Sequence, residues 1–165
     1  SSCMIKNAQM ERKPKVLILM GSKNDRSKFE EAFSFFEEMG VEYVTDVSSA
    51  HRNPEKTIDY AKRAKDEGIE VIIAGAGLAA HLPGVIAAHT TIPVIGVPLA
   101  GGPLSGLDAL LSIVQMPKGT PVATVGIDAT KNAAILACQI LSVKYEEIGE
   151  KLKRHREVLK EDSQK

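Results

Sequence analysis

The 165-residue chain has no tryptophan, and aromatic residues make up only 4% of it. That is too few for a platform that stacks nucleic-acid bases. Neither sign of charge prevails: 21 lysines and arginines meet 21 aspartates and glutamates. No global field therefore draws the chain to nucleic acid or to an anionic membrane, and neither is expected as a partner. Long apolar runs are missing too, because Gly and Pro break them well short of a bilayer span. Cysteine is scarce. Cys3 and Cys138 lie far apart and suggest no disulfide framework, which suits free thiols in a reducing cytoplasm. No pair of histidines shows a zinc spacing such as His-Glu-x-x-His, so no metal is expected. A Gly-x-Ser-x-Gly nucleophile elbow and a Walker phosphate loop are also lacking. Residues 1–13 have no apolar h-region and read as a flexible leader, not a secretory signal. That leaves 14–165 as a single domain with room for a sizeable core.

What is present is alternation. Short β-branched runs predict strands over 16–20, 42–47, 70–74, 93–97 and 121–127. Amphipathic stretches predict helices over 25–39, 54–66, 79–88, 107–115, 131–141 and 145–161. Phe29, Ala32, Phe33, Phe36 and Met39 recur at helical spacing, and Gly40 supplies a stop. Five strands separated by helices imply βαβ units and a parallel sheet covered on both faces. Right-handed crossovers then give a three-layer αβα sandwich, doubly wound. The last helix is charged, with Ile148, Leu152 and Leu159 as a sparse apolar stripe. It is either a solvated helix or one docked on another subunit.

In such a sheet, ligands bind beyond the carboxyl ends of the strands, and the exits here are unusual. The first offers Gly21, Ser22 and Asp25. The hydroxyl and loop amides at a helix start suit an anion, and Asp25 can cap that helix or accept hydrogen bonds from a ribose diol. The second carries Ser48, Ser49, His51 and Arg52 within five residues. Arg52 suits bidentate phosphate recognition, and His51 exchanges protons near neutral pH. The third runs from Gly75 through Gly77 to His81 and Gly84. Its small residues either leave room for a flat ligand or serve helix–sheet packing. His89 reads as structural, and His155 lies in the charged terminal helix. Residues 101–106 look like a mobile flap, and Ser112 and Gln115 are polar candidates for a pocket wall or purely structural.

Four segments in order, MGSKND (20–25), SAHRNP (49–54), GAGLAAHLPG (75–84) and LSIVQMP (111–117), resemble the N5-carboxyaminoimidazole ribonucleotide mutase (PurE) family. The resemblance covers residues 15–141. It implies a flavodoxin-like fold and an isomerase that moves a carboxylate from the exocyclic nitrogen to ring carbon 4 of a purine precursor, without metal or organic cofactor. A related branch carboxylates aminoimidazole ribonucleotide with free carbon dioxide; it has Ser-Ala-His-Lys and Gly-Arg-Ser-Asn at the second and third exits. Arg52 and the 79–82 stretch look like the mutase branch. Residue by residue, the resemblance implies His51 as the catalytic histidine. It also implies Ser22 as a ligand-binding serine, Asp25 on the ribose, Arg52 on the phosphate and His81 in the pocket. Ser49, Gly77 and Leu82 complete the expected substrate-binding set. A small-molecule ribonucleotide is the expected partner, and a symmetric octamer the expected assembly. Asn24, Arg26 and Leu78 depart from the family's usual serine, aromatic or aliphatic residue, and glycine. Two rivals stay open: the free carbon dioxide carboxylase and a non-catalytic nucleotide-phosphate binding module.

Overall fold

Buried apolar runs flanked by turn residues become strands here because parallel strands must be covered on both faces. The computed structural model describes residues 13–165; the rest of the expected leader, with Cys3, lies outside the described residues. The strands are β1 (Lys15–Met20), β2 (Glu42–Val47), β3 (Val71–Gly77), β4 (Val94–Leu99) and β5 (Ala123–Thr124). They form one sheet in the order β2-β1-β3-β4-β5, every pair parallel. This is the doubly wound arrangement that the βαβ pattern predicts, in the flavodoxin-like form that the resemblance implies.

Six α-helices cover the sheet: α1 (Glu30–Met39), α2 (Pro54–Arg63), α3 (Leu82–Ala87), α4 (Leu107–Val114), α5 (Thr130–Ser142) and α6 (Glu146–Asp162). The alternation of side chains along β1 divides the core in two. Val16, Ile18 and Met20 pack with Phe33, Phe36, Ala134 and Ile148 on one face. Leu17 and Leu19 pack with Ala61, Ile86 and Ile113 on the other.

Several boundaries differ from expectation. The helix expected from 25 begins as a 3-10 helix (Lys23–Phe29) and becomes α only at Glu30. The glycines expected as a turn after β3 belong to the strand itself, which continues to Gly77. The reason is packing: a Cβ on Gly75 would lie 2.6 Å from Phe29 Cζ and 3.3 Å from Leu99 Cδ1. The third helix starts at Leu82 instead of 79, with Leu78 at a positive φ of 53° before it. β5 pairs over two residues instead of seven. Pro121 and Pro98 lack the N–H that a ladder needs, and the Asp128 amide turns back to donate to Pro98 O at 2.8 Å. The terminal helix docks on its own chain. Ile148 is buried and Leu152 packs on the core, Lys151 Nζ donates to Met39 O at 2.9 Å, and Val158 and Leu159 are exposed.

Candidate active site

The strand order reverses between β1 and β3, and loops leaving adjacent strands diverge there. A cavity of about 460 Å³ opens at that point, within the size range of small-ligand sites. Ser22, Asp25, Ser49, His51, Arg52, Gly77, His81 and Leu82 all line it. The loops that look separate in sequence thus form one wall.

The first exit is held by the Gly21 amide, which donates to Gly75 O at 3.0 Å. Ser22 caps the 3-10 helix, its Oγ accepting from the Asn24 amide at 3.3 Å. The capping role therefore falls to Ser22, and the Asp25 carboxylate faces the cavity. Burial pushes the Asp25 carboxyl above the usual range; the Lys28 charge and the Ser22 backbone oppose this, and Asp128 adds to it. A hydroxyl that donates to the carboxylate offsets part of that desolvation.

The second exit is anchored from below. Ser48 is buried, with its amide on Met20 O at 2.8 Å and its Oγ 2.7 Å from Thr57 Oγ1. Ser49 Oγ accepts from the Arg52 amide at 3.2 Å, and Asn53 Oδ1 caps α2 through the Lys56 amide at 3.2 Å. These bonds turn the 49–53 loop so that His51 and Arg52 stand exposed over the cavity. Nearby, burial pushes the Asp46 carboxyl up, but hydrogen bonds from Tyr60, the Val47 amide and Lys56 hold it below the usual range.

His81 crosses from the third exit to meet His51. His51 Nε2 contacts His81 Nδ1, and the rings stand edge to face with centroids 4.6 Å apart. One nitrogen of the pair must donate and the other accept, so the contact couples the tautomers of the two rings. Gly77 lines the cavity where a Cβ would lie 3.3 Å from Leu99 O. Leu78 is half exposed at the rim, and a Cβ on Gly102 would lie 2.6 Å from its Cδ2.

Sequence reasoning missed the wall formed by Leu99 and Ala100, which joins Gly101 and Gly102 at the exit of β4. The signal was available: β4 is the strand beside β3, so its exit must open on the same edge. Ser112 and Gln115 are not among the residues lining this cavity. Ser112 Oγ bonds Asp108 O one turn back at 2.8 Å. Asn24 and Arg26 do not line the cavity either; Arg26 reaches Thr45 Oγ1 at 3.0 Å and lies over the Phe33 ring. Of the three departures, only Leu78 touches the cavity.

A doubly wound parallel sheet with a carboxylate, an arginine and two touching histidines at its switch point defines a class: an α/β protein whose cavity gathers groups chemically suited to acid–base work on a polar ligand. The chain belongs to the AIR carboxylase family, whose model matches residues 15–162. It is 62% identical over 147 residues to the N5-carboxyaminoimidazole ribonucleotide mutase of Pyrococcus abyssi, covering 89% of this chain and 84% of that one. The enzyme of the same name from Saccharolobus solfataricus is 55% identical, over 90% of this chain and 94% of that one. Among solved structures, Treponema denticola PurE superposes with a TM-score of 0.81 at 29% identity, over 92% of this chain and 98% of that one.

Proposed function

We propose that the chain is an N5-carboxyaminoimidazole ribonucleotide mutase, an isomerase of purine biosynthesis. The observation that carries the reading is the 62% identity to a mutase over most of both chains, together with an acid–base pair at the mouth of a ligand-sized cavity. Residues 14–165 act as one catalytic domain. The phosphate is held by Arg52, Ser22 and the loop amides, the ribose by Asp25, and the ring lies against Gly77 and Leu82 with Ser49 beside it. The reading includes a cytoplasmic location, which the free Cys138 thiol suits.

Protonated His51 donates to the exocyclic nitrogen as its bond to the carboxylate carbon breaks, and carbon dioxide leaves while that electron pair stays on nitrogen. Ring carbon 4 then attacks carbon dioxide held in the cavity, which spares the entropy of recruiting it from solution. Neutral His51 removes the proton from carbon 4 and restores the aromatic ring. The imidazole ends as it began, so no net proton is consumed. His81, in contact with His51, sets which ring nitrogen carries the proton. Such general acid–base catalysis is worth about 10²–10⁴-fold.

The test is turnover of N5-carboxyaminoimidazole ribonucleotide without added bicarbonate, wild type beside His51→Asn. Conversion by the wild type and a loss of about 10²–10⁴-fold in the folded variant are expected. Activity only with aminoimidazole ribonucleotide and bicarbonate would assign the carboxylase instead. Ligand-dependent thermal stabilisation with no turnover would assign a binding module.

The chain also acts as a homo-oligomer, with an octamer as the expected size. Leu104, Leu107, Leu111 and Val114 support this, lying exposed along one side of α4 and its approach. A contiguous apolar face of this kind needs a partner.

A further inference from the structure

Ala100 begins the glycine wall of the cavity, and a charged pair from two distant segments grips both sides of its backbone. Its amide donates to Asp128 Oδ1 at 2.9 Å, and its carbonyl accepts from Lys28 Nζ at 2.7 Å. The two side chains close on each other, with Lys28 Nζ 3.1 Å from Asp128 Oδ1. Each is fixed in turn. The Asp128 amide is tied to Pro98 O, and its φ of 57° is one that Asp tolerates better than most residues. Thr130 Oγ1 donates to Lys28 O at 2.7 Å. Beyond Ala100, Gly101 has open space where a side chain would be and a Cβ on Gly102 would meet the side chain of Leu78, so the polar hold on the wall described here falls at its first residue. Lys28 also sits one turn from Asp25 on the 3-10 helix.

We propose that Lys28 and Asp128 are a positioning pair: they latch the Ala100–Gly102 wall against the bound ribonucleotide, and Lys28 keeps the Asp25 carboxylate available to the ribose. The inference rests on the ribonucleotide reading of the cavity. Neither residue touches the reacting atoms. Charged or titratable groups around Asp25 come from every side: Lys28 on its own helix, Asp128 from the β5 exit, and His51, Arg52 and His81 across the cavity. Lys28 opposes the burial that pushes the Asp25 carboxyl up, so its loss raises the pH at which Asp25 ionises.

The first test needs no substrate. Amide exchange at Ala100 in the full ligand-free chain should quicken in Asp128→Ala and return toward wild type in Asp128→Asn, which keeps an acceptor oxygen. The second is steady-state kinetics with N5-carboxyaminoimidazole ribonucleotide. Lys28→Met should raise KM by about three- to tenfold with a smaller change in kcat, the size expected for a half-exposed charged contact. It should also move the acid limb of kcat/KM to higher pH, and Lys28→Arg should restore both. Unchanged exchange in Asp128→Ala, or a wild-type KM and pH profile in folded Lys28→Met, would overturn the latch. A wild type that fails to turn over this substrate removes the mutase reading instead, and the latch then stands or falls on the exchange measurement.

Discussion

At the scale of single residues, the site works against the stability of the fold. Asp25 is the clearest case, because burial pushes its carboxyl above the usual range. Ionising it in the folded chain costs more than in the unfolded one. That penalty is absent below the ordinary carboxylate range, where both states hold the proton, and grows as pH rises through the raised folded value. Asp25→Asn should therefore raise the urea midpoint of the ligand-free chain at neutral pH, with the gain vanishing in acid, while ribonucleotide binding weakens. A midpoint unchanged across pH would show that Asp25 carries no such penalty. His51 and Arg52 were legible as candidates from residue type alone, since an imidazole and a guanidinium stand side by side at a strand exit. The partnership of His51 with His81 was not, because thirty positions separate them and their loops leave β2 and β3, which meet only because β1 pairs with both.

At the scale of elements, β3 shows why local pattern misleads. Gly75, Ala76 and Gly77 read as a turn, yet they are strand. Glycine weakens a strand, but here the Phe29 ring lies over the sheet where a Cβ would be. Gly75→Ala should lower stability by about 1–3 kcal/mol, the range for overpacking a tight core, as measured by urea denaturation. Adding Phe29→Leu should make the double variant less destabilised than the sum of the singles, because the two side chains compete for one space. Strict additivity would mean that the ring moves aside freely. The helices were more legible than the third exit. α1 keeps its apolar spacing over Ala32, Phe33, Phe36 and Met39 and ends at Gly40 with φ 67°. α3, by contrast, is only six residues long and starts late, with Pro83 in its first turn.

At the scale of the whole molecule, the proposed homo-oligomer is tested at the exposed leucines of α4. Replacing Leu107 and Leu111 with aspartate should lower the association state by sedimentation velocity and leave the far-UV spectrum intact, since both side chains are about half exposed in the single chain. An unchanged sedimentation coefficient would remove this face as a subunit contact. By itself, the sequence determined the alternation of strand and helix, hence the parallel sheet, its two covered faces and the edge on which the candidate site residues gather. Those follow from periodicity and turn chemistry, which act over a few residues. Only the tertiary structure decided which exits share a wall, that Ser22 caps its helix while Asp25 faces the cavity, and that Lys28 reaches Asp128 a hundred positions away. Such meetings depend on strand order and side-chain direction, and a linear spacing carries no record of either.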